Sequence, residues 1–95
     1  RRCKKVPKAL LDFMGYVFFF WSREDYEPPH VHVCKGAPSK VSAKFLIEYD
    51  EIIMEHNDAQ IPAKDLKKIQ MYISLNKRDI FYEWGSYEWF RYFVQ

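Results

Sequence analysis

The sequence predicts an α+β fold: an antiparallel sheet of about four strands in meander order, followed by two helices packed on one of its faces. Three observations carry this. Apolar residues alternate in short runs between residues 16 and 56, and after Pro62 they switch to three- and four-residue spacing. The runs are separated by Gly, Pro, Asn and Asp.

The chain opens RRCKKVPK, and five of its fifteen Lys and Arg lie in the first eight residues. Residues 1–12 are read as a basic N-terminal arm and residues 13–95 as one α+β domain. Within this opening part, ALLDFM (residues 9–14) is expected to form one helical turn before Gly15 releases the backbone. The β-formers of YVFFFW then make a strand that is apolar on both faces, with Val17, Phe19 and Trp21 on one and Tyr16, Phe18 and Phe20 on the other. Such a strand belongs in the middle of a sheet. With helices on one side, its other side needs cover too, and a second subunit is one way to supply it.

The polar stretch SREDYEPP reads as a loop, because its two prolines cannot donate to a strand ladder. HVHVC resumes the alternation, and Gly36 and Pro38 turn the chain into the next strand. There Val41, Ala43, Phe45, Ile47 and Tyr49 face the core, while Lys40, Ser42, Lys44 and Glu48 face water and Leu46 breaks the pattern. A turn near Asp50 and Glu51 leads into a short strand from Ile52 to His56, which Asn57-Asp58 ends. From Pro62, placed where its missing N–H costs nothing, Leu66, Ile69 and Ile73 mark a helix running to about Leu75. Asn76 and Asp79 read as a capping pair that starts a second helix carrying Ile80, Phe81 and Trp84, with Gly85 as its stop. The periodicity of the tail SYEWFRYFVQ does not separate helix from strand.

Eight Phe, seven Tyr and three Trp give this 95-residue chain a core built from few, large side chains. Cys3 and Cys34 are the only cysteines, which suits two reduced thiols in the cytoplasm better than a disulfide framework. The longest apolar run, six residues, falls far short of the roughly 18 that a membrane-spanning helix requires, so no membrane partner is expected. Residues 9–95 carry ten basic against thirteen acidic side chains, a net −3. A phosphate-binding face is therefore not expected on the body, and nucleic acid would be held only through the N-terminal arm. Lys64, Lys67 and Lys68 on the first helix, with Lys77 and Arg78 on the second, read first as a solvated face and second as a surface for an acidic partner or nucleic acid.

The chemically loaded segment is YEPPHVHVC. Alternation sets His30, His32 and Cys34 on one face of a strand and Val31 and Val33 on the other. Two imidazoles two residues apart, at ~7 Å, can share a metal ion, whereas Cys34 lies ~13 Å from His30 and cannot complete a simple three-ligand set. Further ligands would have to come from Asp25, Glu27, Glu55, His56 or Asp58. The metal candidates are thus His30, His32 and His56, and His30 and His32 are also the candidates for general acid–base work, since imidazole titrates near neutral pH. With three glycines in the whole chain there is no phosphate-cradling loop, and no cofactor is expected.

Gly15 ahead of an apolar strand, then Pro28-Pro29-His30-Val31-His32-Val33, a hairpin, Ile61-Pro62, a helix and Trp84 in the next helix together resemble a family of small bacterial proteins, domain of unknown function 4160. The resemblance covers about residues 13 to 85, and PPHVHV after an aromatic strand is its most specific element. It implies a bacterial, cytosolic protein encoded in the manner of toxin–antitoxin pairs. It carries over no reaction, and its motif residues here are Pro28, Pro29, His30 and His32.

Two functional classes follow. The first is a binding or regulatory protein, a homodimer or one member of a small protein pair, with Trp21, Trp89, Phe90 and Phe93 as interface candidates because aromatic side chains dominate interface energetics. The second is a His-dependent, metal-assisted hydrolase or nuclease built on His30 and His32.

Overall fold

In the computed structural model, residues 7–21, 29–48 and 50–84 are described. They form five strands and two helices: β1 (Pro7–Phe13), β2 (Tyr16–Trp21), β3 (His30–Lys35), β4 (Ala43–Ile47), β5 (Ile52–Asn57), α1 (Ala63–Leu75) and α2 (Lys77–Trp84). The strands lie in the sheet in chain order, each antiparallel to the next. The fold is the α+β meander with C-terminal helices that the sequence predicts, with one strand more than expected.

That extra strand is β1, and it corrects two expectations. Residues 9–14 form no helical turn, and residues 7–12, assigned to the basic arm, are in the sheet. Ala and Leu are strong helix formers, but intrinsic propensity is a weak influence that pairing with the strongly β-forming β2 overrides. The two strands meet at a two-residue turn in which Met14 (φ 57°) and Gly15 (φ 83°) are both left-handed, the type I′ geometry whose twist matches a hairpin. A register shift between Ala9 and Leu11 bends β1 along its partner.

The main core lies between sheet and helices. Tyr16, Phe18, Val31, Val33, Ala43, Phe45 and Ile47 project from one sheet face onto Ile61, Ile69, Ile73 and Ile80. Tyr72 closes the β1 side, its ring stacked on Phe13 at 4.1 Å between centroids and tilted against Phe18 at 5.3 Å.

The chain enters α1 through a clamp at Asn57. Its side-chain oxygen accepts from the Ile61 N–H at 3.0 Å and its amide donates to the Ile61 carbonyl at 3.1 Å. Pro62 stands just before the first helical residue, and its carbonyl accepts from the N–H groups of Asp65 and Leu66. The break between the helices falls at Asn76 as expected, but for a different reason. The Asn76 amide donates backward to the Tyr72 carbonyl at 2.8 Å, so the side chain closes α1 rather than capping the start of α2. Gly85, expected to stop α2, lies outside the described residues. No helix among the described residues is long and apolar enough to cross a membrane.

β4 is shorter than its pattern: Val41 is exposed and lies before the strand. The face expected to be wet is not wet throughout. Ser42 is buried and Lys44 is largely covered, because both lie beside β3 on the histidine side of the sheet.

Candidate functional site: the buried histidine pair

Pro29 sets the position of β3. It is fully buried, it has no N–H to leave unpaired at the strand start, and its carbonyl accepts from the Ile47 N–H at 3.0 Å, which fixes β3 against the end of β4. From there the pleat puts Val31 and Val33 into the main core. His30, His32 and Cys34 go to the other face, where Val17, Phe19 and Cys34 pack together with Trp21 alongside. This face is also buried within one chain, so burial alone does not demand a second copy over Val17 and Phe19.

His30 is 0% exposed and His32 7%. Their rings meet edge to face with 4.9 Å between centroids, an aromatic arrangement in which the positive rim of one ring approaches the negative face of the other. Across the β2–β3 pairing, His32 stands opposite Phe19, and the two rings stack at 5.5 Å; Phe19 in turn meets Trp21 edge-on at 5.5 Å. On the other side His32 stands opposite Lys44, which stands opposite His56 on β5. The Ser42 hydroxyl lies 3.4 Å from Nδ1 of His32.

The structure therefore brings His30 and His32 together and keeps His56 apart, one strand further on with Lys44 between. His56 Nδ1 instead faces the Asp58 carboxylate at 3.5 Å, a contact too long to count as a hydrogen bond. Glu55 is turned to Lys44 at 3.5 Å. Among the described residues no three His, Cys, Asp or Glu side chains are grouped to hold a metal ion; Asp25 and Glu27 lie outside them, as do Pro28, Trp89, Phe90 and Phe93. Cys34 donates to the Ala37 carbonyl at 2.9 Å. Burial pushes its thiol pKa up, against a smaller downward pull from the Ser39 backbone, so the nucleophilic thiolate is disfavoured.

Ser42 is the residue of this site that the sequence reading missed. Alternation puts it with Lys40 and Lys44 on a solvated face and carries no sign that it abuts an imidazole two strand positions away. In chemical terms Ser42 and His32 are a hydroxyl and a base in loose contact, but the hydroxyl-bearing residue is 2% exposed. A substrate would have to enter the protein interior to meet it.

A family model described as Domain of unknown function (DUF4160) matches residues 15–85. The chain belongs to the DUF4160 family. No curated protein and no solved structure matches it. The DUF4160 match starts at Gly15, in the turn that leads into β2, and runs beyond the end of α2, so it takes in the histidine strand and both helices, while β1 precedes it. The PPHVHV segment within it has a packing role that the geometry explains in part: Pro29 positions the strand, the two valines enter the main core, and the two histidines fill the opposite side.

Proposed function

We propose that this protein is a small bacterial, cytoplasmic binding or regulatory protein that acts by contact with another protein chain, either a second copy or the other member of a toxin–antitoxin-like pair. The observation that supports this reading is the burial of His30 and His32, which are packed on each other, on Phe19 and beside Ser42 as interior side chains. Side chains used in this way hold the sheet together and leave recognition to the surface. No cofactor is part of the proposal.

The test is oligomeric state and partner capture for the wild type and for His30→Gln and His32→Gln, with folding followed by circular dichroism. Folded variants are expected to retain whatever complex the wild type forms. A monomer at every concentration, with no specific partner retained, would remove the reading.

The contact between Ser42 and His32 favours a second reading, a small His-dependent hydrolase or nuclease, metal-assisted through His30 and His32. Stoichiometric zinc in protein purified without a histidine tag, or ester or RNA hydrolysis abolished by His32→Gln in a folded variant, would support it. Absence of both removes it.

A further inference from the structure

Five of the seven exposed large apolar side chains among the described residues fall into two groups of opposite electrostatic surroundings, with Met14 and Val41 in neither. Met71, Leu75 and Tyr82 are 65%, 78% and 80% exposed, more than any other large apolar residue among those described. Met71 and Leu75 are one helical turn apart on α1, and exposed Lys64, Lys67 and Lys68 precede them, with exposed Arg78 following on α2. Between residues 59 and 78 no acidic side chain is exposed, since Asp65 is half-buried and engaged by the Tyr16 hydroxyl; exposed Asp79 follows directly after Arg78 on α2. The result is a basic stripe with an apolar centre.

The second group is its electrostatic opposite. Exposed Glu48, Asp50, Glu51, Glu55 and Asp58 line the β4–β5 turn, β5 and its end, and no basic residue occurs from 48 to 58 apart from half-buried His56, although Lys44 of β4 pairs with Glu55 at 3.5 Å. Exposed Ile53, opposite Leu46, lies on the histidine side of the sheet, and exposed Met54, opposite Phe45, on the helix side. β5 is an edge strand. Its Ile52 carbonyl already accepts from the Gln70 amide of α1 at 3.4 Å, a long bond that occupies one of the backbone groups another strand would need.

We propose that two copies of this chain associate through these surfaces, the basic stripe of α1 and α2 on one copy meeting the acidic β4–β5 surface of the other, with Met71 and Leu75 packing against Ile53. Opposite charge steers the encounter and sets the register, and the apolar centre supplies the contact that outlasts salt screening. A like-on-like contact through either surface is disfavoured, since it would oppose four basic side chains to four, or five acidic to five. Within one chain the start of α2 meets the β4–β5 turn, where the Lys77 ammonium donates to the Glu48 carbonyl at 3.3 Å. The inference rests on the binding-protein reading above and names its surface.

A charge exchange tests it. Wild-type protein is expected to show at least twice the monomer mass by light scattering at low salt, and Met71→Glu or Leu75→Glu is expected to weaken association so that dissociation already occurs at higher protein concentration. The double variants Lys67→Glu/Lys68→Glu and Glu51→Lys/Glu55→Lys are each expected to be monomeric and, mixed together, to recover association at least tenfold stronger than either alone. Recovery in the mixture also shows that both variants are folded. A wild type that is monomeric throughout overturns the inference and leaves the binding-protein reading to partner capture. A wild type that associates while neither double variant loses association overturns the assigned surfaces alone.

Discussion

The Tyr16 hydroxyl donates to Oδ2 of Asp65 at 2.7 Å, joining the first residue of β2 to the first turn of α1 across 49 positions of sequence. Asp65 is also the acidic residue of that first turn, where a carboxylate opposes the positive end of the helix. One side chain thus holds helix to sheet and favours the helix start. Tyr16→Phe removes the bond without removing the ring and is expected to cost about 1–2 kcal/mol in urea denaturation. An unchanged midpoint would show that the bond contributes nothing to stability.

The same pair gives the fold an alkaline limit. Burial, the hydrogen bond to Asp65 and the charge of Asp65 together push the Tyr16 pKa up from 10.0 to about 12. Between pH 10 and about 12 the folded state therefore keeps a proton that the unfolded chain gives up. The stability this group contributes is complete below pH 10 and is lost as pH rises toward 12. Thermal melts across this range should show a fall for the wild type that is smaller in Tyr16→Phe; equal slopes would assign the alkaline loss to other groups.

Met14 occupies a left-handed position without the residue type that favours it. Met14→Asn is expected to raise stability by ~0.5 kcal/mol, while Gly15→Ala, at φ 83°, should lower it by ~1 kcal/mol. Urea midpoints moving in the opposite directions would show that the turn is not the type I′ turn described.

Asn57 holds both backbone groups of Ile61, and Ile61 is buried in the main core. Asn57→Ala leaves these two groups without that partner and should cost about 1–3 kcal/mol. Hydrogen exchange provides the specific check: the Ile61 amide should lose protection well before those of β2 and β3.

Much of this architecture was legible in the sequence because strong patterns were enforced by strong packing. The two-sided apolar run of β2, the alternation of β4 and the spacing of Leu66, Ile69 and Ile73 each describe a surface that water must leave. β1 escaped notice since PKALLDF has neither β-branching nor regular alternation; only its neighbour makes it a strand. Asn76 marked the right break by the wrong bond, as the same amide can serve a helix end or a helix start. For the histidines, strand position and facing follow from the pleat, but their depth depends on side chains distant in sequence, and so does the approach of Ser42. The Tyr16–Asp65 bond leaves no local signal at all.

The order of the strands bears on how the protein is made. Since every strand pairs with its predecessor in the chain, no pairing waits for a distant segment, and loop-closure entropy stays small at each step. Folding can advance hairpin by hairpin behind the ribosome, a route open to proteins of low contact order. During that interval the sheet face later covered by Ile69, Ile73 and Ile80 is bare and aromatic-rich. The hazard of aggregation is thus concentrated in the time between completion of β5 and docking of the helices.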